Sequence, residues 1–307
     1  MKIGYSDIDI RLGKPAIEIG RKAEALGYDS LYFAGGGRDS AMLATLTGHS
    51  VPRLRVGSSI VSVWQNRPLA MAETAIIANE ALDGRFVLGL GLSHPHMVVD
   101  RLGMKFERPI LYLREYLTIL MQCLDDHKAD YDGELLSAHA PINIQYNRRP
   151  QVLIAALGPQ ALRVAGRLSD GTMTFMVPLR SLEELTIPIA SQAAQEVGRP
   201  RPHFLASLPI CVPADKERAR ADAAQTFINY GSGYYPSYRA ALDRAEVAGP
   251  DDVAIFGTEE EVAQALGRYR DIGIDEIYCV PFGTPEERAA TFEFLPQLSE
   301  YNAAGGR

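Results

Sequence analysis

The chain has 307 residues, 47% hydrophobic and 22% charged, which suits a large packed core and excludes global disorder. A formal charge of −7 excludes the basic face that a nucleic-acid partner requires. No apolar run approaches the roughly 20 residues of a membrane span, and the opening MKIGYSDIDI lacks a secretory apolar stretch, so a cytoplasmic protein with no membrane partner is expected.

In chain order, residues 2–6 read as a strand and 15–26 as a helix with apolar positions at Ile17, Ile19, Ala23 and Leu26, closed by Gly27. Residues 29–33 form a second strand that runs into Gly35-Gly36-Gly37, a turn bare of side chains. Asp39 is placed to cap a helix through Leu46, because a short acceptor satisfies free first-turn N–H groups.

The stretch from Arg55 to His94 is the most informative. Residues 55–63 are dense in Val, Ile and Ser, as in a strand buried on both faces. Residues 68–82 begin with Pro and continue as a good helix former, Asp83-Gly84 breaks the helix, and 86–92 return as a strand. Strand, crossover helix and strand imply parallel pairing. Gly89 and Gly91 thin the end of that strand, which lets a flat ligand approach the backbone. Ser93 and His94 follow just beyond its carboxyl end, the edge where parallel α/β proteins hold ligands. The plain alternative is glycine retained for close helix packing.

Residues 109–124 carry Ile110, Leu113, Leu117, Leu120 and Leu124 on one helical face, and the charged segment DDHKADYDGE reads as a solvated connection without EF-hand spacing. Residues 151–157 are a fifth strand, Gly158-Pro159-Gln160 leads into a helix over 161–168, and 172–177 are a sixth strand followed by helical sequence to Arg199. Residues 204–212 are a seventh strand and 215–230 a helix. The aperiodic GSGYYPSY of residues 231–238 suits a loop or lid. A helix over 259–271, an eighth strand over 275–281 and a helix over 285–301 end the chain. Eight strands alternating with helices, in one unbroken pattern over residues 1–307, predict a single-domain α/β (β/α)8 TIM barrel with insertions; an open doubly wound sheet is the alternative. Cys123, Cys211 and Cys279 are too far apart for a zinc motif and odd in number, so buried thiols and no metal are expected.

Several pieces of this order occur together in one family: GYDSLYF, RVGSSIV, NRPLAMAETA, GRFVLGLGLSH, ERPILYLREYLTIL, AALGPQALRVAGRLSDGT and YRDIGIDEIYCVPFG. Over nearly its full length the chain resembles the luciferase-like monooxygenase superfamily, and within it the branch that uses the deazaflavin coenzyme F420. The resemblance implies a luciferase-like barrel holding a flat ring at its strand ends, with a cis peptide at Ser59-Ile60 in a bulge after the third strand. It places Ser62, Gly91, Ser93 and His94 around the ring and Phe175 and Met176 on its wall. It also places Gly158, Pro159 and Gln160, with Ala156 beside them, at the cofactor phosphate. His94 stands where some members carry an acidic residue, so it is read as a proton donor or as a hydrogen-bond partner of the ring. Where several dehydrogenases of the branch carry an Asp-His pair, this chain has Gly35-Gly36, and glycine cannot take a proton.

The implied function is a coenzyme F420-dependent oxidoreductase, a reductase transferring hydride to an activated C=C or C=N bond of a small-molecule or peptide substrate. An FMN-dependent luciferase-type monooxygenase and a non-catalytic flavin-binding barrel are the alternatives. Trp64 and the tyrosine-rich loop are the expected substrate contacts, although such aromatics serve packing as readily as recognition. A homodimer is left open.

Overall fold

A computed structural model describes residues 1–6 and 9–299. Eight parallel strands close on themselves: β1 (Lys2–Tyr5), β2 (Ser30–Ala34), β3 (Arg55–Ser59), β4 (Phe86–Gly91), β5 (Gln151–Ala155), β6 (Gly171–Phe175), β7 (His203–Cys211) and β8 (Glu276–Pro281). Neighbours pair in chain order, and β1 closes the ring by pairing with β8 from Lys2↔Glu276 to Tyr5↔Cys279. The barrel expected from the alternation is the fold found, and the open sheet is excluded.

The connecting helices are α1 (Gly13–Leu26), α2 (Ser40–Ser50), α3 (Pro68–Ala81), α4 (Pro109–Asp125), α5 (Pro159–Leu168), α6 (Ile187–Gln195), α7 (Lys216–Thr226), α8 (Pro236–Arg244), α9 (Glu259–Asp271) and α10 (Pro285–Phe294). Punctuation follows the predicted chemistry. Gly27 ends α1 with φ 90°, a left-handed conformation that glycine adopts without a Cβ clash, and Asp39 caps α2 by accepting from Met42 N–H at 2.9 Å. All three cysteines are buried. Of the last predicted helix, the part beyond Ser299 lies outside the described residues.

The structure corrects three expectations. The third strand does not run unbroken over residues 55–63. It pairs with β4 through Val56↔Phe86 and Gly57↔Val87, and resumes only as Val61–Ser62 opposite Leu90 and Gly91. Five residues from Gly57 to Val61 therefore face four from Val87 to Leu90, the signature of a bulge. The charged segment after α4 is not a bare connection but half of an antiparallel hairpin, Lys128–Asp132 with Ser137–Pro141. Its turn is organised by Glu115, buried in α4, whose carboxylate accepts from the backbone N–H groups of Glu134, Leu135 and Leu136 at 2.8–2.9 Å. Thirdly, the helix expected over 215–230 breaks at Phe227, whose ring turns inward against Phe175 and Phe282 at 6.1 and 6.0 Å.

At the amino-terminal end of the barrel, Glu276 is fully buried beneath the sheet. Its carboxylate accepts from Ser30 Oγ at 2.5 Å, Tyr32 OH at 2.9 Å and Arg55 Nη1 at 3.0 Å, and His203 Nε2 lies 3.4 Å away. Burial alone would raise its pKa, but His203, Arg55 and Ser30 outweigh it and hold the group at about 2. A charge cluster at this end of a barrel serves stability, which leaves the opposite, carboxyl-terminal edge for chemistry.

Candidate active site

At that edge the bulge brings Ser59 and Ile60 over the end of β4. The peptide bond between them is cis, as the resemblance implies. Gly35 N–H donates to the Ser59 carbonyl at 3.2 Å, and a Cβ on Gly35 would overlap the Ile60 carbonyl oxygen. The glycine at the end of β2 is thus required by backbone that crosses its Cβ position. Gly91 has the same character: a Cβ there would meet Ala155 Cβ and Ile60 Cδ1, each at 3.0 Å, so its absence keeps the strand end flat.

Beyond β4, Ser93 has φ 61° and takes the chain off the strand axis, carrying His94 across the mouth. There the imidazole lies against Tyr235 at 4.1 Å and Tyr238 at 5.7 Å, with His96 nearly parallel to it at 5.9 Å. The same tyrosines reach the other wall: Phe175, at the end of β6, packs on Tyr230 at 5.0 Å and Tyr238 at 6.4 Å. His94 and Tyr238, 144 positions apart in sequence, therefore share one aromatic lid over the barrel mouth.

The lid sets the electrostatics. Burial, and then the neighbouring His96, lower the His94 pKa from 6.5 to about 4, so the ring is neutral at pH 7. Burial likewise raises the phenols of Tyr230, Tyr235 and Tyr238, which stay protonated. Desolvation thus disfavours the charged form of this imidazole.

A second group of predicted residues gathers at the start of α5. Gly158 is the N-cap, Pro159 follows it, and no side chain caps the helix, so its first-turn N–H groups are free for an anion. A Cβ on Gly158 would meet nothing within 4 Å, which describes a cradle open to a ligand. Arg244, from α8 of the lid, reaches this point and donates to the Leu157 carbonyl at 3.1 Å. The sequence reading did not single out Arg244. Its signal was faint, a cation six residues past the tyrosine-rich loop, and only the fold brings it beside Gly158. His96 and Tyr230 were likewise missed.

Not every predicted residue lines the mouth. Ala156 and Met176 are each 1% exposed and support the wall from behind, and Ser62 is buried where it pairs opposite Gly91. Trp64, the expected substrate contact, is packed into the core. It is 6% exposed, its ring stacks on Tyr112 at 4.0 Å, and its N–H donates to the Leu92 carbonyl at 2.8 Å, so both its face and its polar tip are committed to the core. Among the described residues no cluster of His, Cys, Asp and Glu is arranged to hold a metal ion. No helix among them is long and apolar enough to cross a membrane.

The chain matches the family described as luciferase-like monooxygenase over residues 13–276. The chain belongs to the luciferase-like monooxygenase family. As a member it is an oxidoreductase built on that family's barrel. A relative from Methanolobus tindarius, 5,10-methylenetetrahydromethanopterin reductase, is 24% identical over 297 residues, 87% of this chain and 90% of the relative. The fold is similar to that of an F420-dependent secondary alcohol dehydrogenase solved with an F420-acetone adduct, with a TM-score of 0.82, 16% identity and 97% of each chain covered. It is also similar to the monooxygenase RslO1 from Streptomyces bottropensis, with a TM-score of 0.78, 16% identity, 98% of this chain and all of the other covered.

Proposed function

We propose that this family member is a coenzyme F420-dependent oxidoreductase working in the reductive direction, on an activated C=C or C=N bond of a small molecule. The observation that carries the direction is the absence of a base at the end of β2. Oxidising an alcohol requires a residue to take the hydroxyl proton, yet β2 ends in Gly35-Gly36, with the Ile60 carbonyl filling the place of any Gly35 side chain. His94 is close by, but its pKa of about 4 makes it a weak base. The reductase name of the Methanolobus tindarius relative supports the same direction.

The residues fit a flat ring with a phosphate-bearing tail. Ser59, Ile60 and Gly91 offer a thin backbone floor for the ring, and the Phe175 side chain a wall. The uncapped start of α5, at Gly158, Pro159 and Gln160, offers free N–H groups and the positive end of the helix dipole to the phosphate, with Arg244 as a nearby cation. The bound deazaflavin would supply hydride. His94 and Tyr235 cover the reacting edge. Being neutral, His94 offers the ring or the substrate a hydrogen bond, and the proton that completes reduction comes from water passing the lid.

The test is a fluorescence titration of the purified protein with F420 and with FMN, followed by oxidation of reduced F420 in the presence of enone and imine acceptors. Binding of F420 with acceptor-dependent oxidation is the expected result. Preferential FMN binding with oxygen consumption would make the protein a monooxygenase, and binding of neither would make it a non-catalytic barrel.

A further inference from the structure

A buried phenol that the roles above leave unused lies directly beneath the bulge. Tyr278 projects from β8, is 4% exposed, and shares a short hydrogen bond with Ser59 Oγ. Its ring packs on Tyr32 at 5.0 Å, which fixes it from below. On its other side is Ser207, paired with Tyr278 across β7 and β8 and itself in register with Phe175 of β6. The Ser207 hydroxyl is 1% exposed and finds no partner of good geometry, yet Ser207 and Ser59 both act to lower the Tyr278 pKa against the burial that raises it.

These hydroxyls have one arrangement that satisfies most donors. Ser207, buried and in register with Tyr278, can turn its otherwise unpartnered proton toward the Tyr278 oxygen. Tyr278 stays protonated in its buried position and directs its own proton to Ser59 Oγ, since Ser59 is the partner it touches. Ser59 has then accepted its internal bond, and its O–H is left to point out of the floor into the mouth, where Ser59 is partly exposed. We propose that Tyr278 is a positioning residue that turns the Ser59 hydroxyl into a hydrogen-bond donor aimed at the acceptor edge of the bound ring. This rests on the proposed ring site at Ser59.

The experiment is a double-mutant cycle on cofactor binding, read by fluorescence titration and by the absorption band of the bound ring. Tyr278→Phe removes one oxygen and keeps the ring, so the fold is retained, as far-ultraviolet circular dichroism will check. It should raise the dissociation constant roughly three- to tenfold, the loss of about one net hydrogen bond, and shift the absorption band. Ser59→Ala should do the same. On the Ser59→Ala background Tyr278→Phe should add nothing, because the two act through one bond. An unchanged constant and spectrum in Tyr278→Phe, or a Tyr278→Phe effect undiminished on the Ser59→Ala background, would overturn the proposal. If the wild-type protein bound neither F420 nor FMN, the functional reading itself would fall, an outcome visible before any variant is made.

Discussion

Replacing Gly158 by Asp should move stability and cofactor affinity in opposite directions. Gly158 is the N-cap of α5 with φ −104° and ψ 156°, angles any residue adopts, and its Cβ position is open. An aspartate there can accept the free N–H groups of the first turn. Asp exceeds Gly at an N-cap by a few tenths of a kcal/mol, and a carboxylate at the positive end of the helix dipole adds about 0.3–1 kcal/mol. The variant should therefore melt at the wild-type temperature or slightly above it.

A phosphate held at the same N–H groups meets the reverse. It loses a charge-assisted hydrogen bond, about 1.5–3 kcal/mol, and gains a like charge, which at about 5 Å and an effective dielectric near 20 repels by about 3 kcal/mol before the anion shifts away. Movement of the anion and solvent screening relieve about half of this sum, and the remaining loss of about 2–3 kcal/mol predicts a dissociation constant roughly 30- to 150-fold higher. Gly158→Ser caps the helix without the charge and should cost less than tenfold. Isothermal titration with the intact cofactor, and with its chromophore lacking the phosphate, separates the effects: only the phosphate-bearing form should suffer. Unchanged affinity of Gly158→Asp for the intact cofactor would refute the phosphate assignment.

Two further outcomes concern titration. Glu276 is held at about 2 against an ordinary 4.5, so the folded state favours its charged form and the stabilisation is complete above pH 4.5 and lost as pH falls toward 2. The difference is worth about 3 kcal/mol, and Glu276→Gln should flatten the acid limb of a denaturation series while lowering stability at pH 7. His94, lowered to about 4, likewise costs stability as pH falls from 6.5 toward 4, because the unfolded imidazole takes the proton first. Its ring resonances in NMR should titrate near 4, and His94→Gln should retain cofactor binding at pH 7; a midpoint near 6.5 would restore the proton-donor role.

What was legible in the sequence was whatever depends on local chemistry. The eight strands, the Gly27 and Asp39 helix ends and the uncapped start at Gly158 are each set by residues within one turn of chain, so reading them needed no tertiary knowledge. The bulge at Ser59-Ile60 came through resemblance, because nothing in RVGSSIVSV distinguishes a broken strand from a whole one. The hairpin after α4 was missed because its organiser, Glu115, reads as one more charged residue on a helix, and only burial turns its carboxylate into the anchor of a turn. Trp64 is the converse case. Nothing within one turn of chain separates packing from recognition there, and only the fold brings Tyr112 of α4 onto its ring, a contact made across 48 residues.

The glycine pair after β2 joins sequence, packing and function, and it yields the last prediction. From the sequence alone Gly35-Gly36 is only the absence of an Asp-His pair, a loss that restoration would repair. The structure makes it a different floor. A Cβ at Gly35 overlaps the Ile60 carbonyl, which is backbone and cannot rotate away, whereas Gly36 has open space but sits at φ 75°, where a side chain is disfavoured. Introducing Asp at Gly35 should therefore push on the bulge beneath the ring, at an overpacking cost of about 1–3 kcal/mol, and weaken cofactor binding instead of installing a base. Gly35→Ala isolates the steric part, since it adds the Cβ and no charge, and it should show the same fall in melting temperature and affinity. If Gly35→Ala were neutral and Gly35→Asp gained alcohol oxidation, the floor would be yielding, and the missing base alone would have set the direction of the reaction.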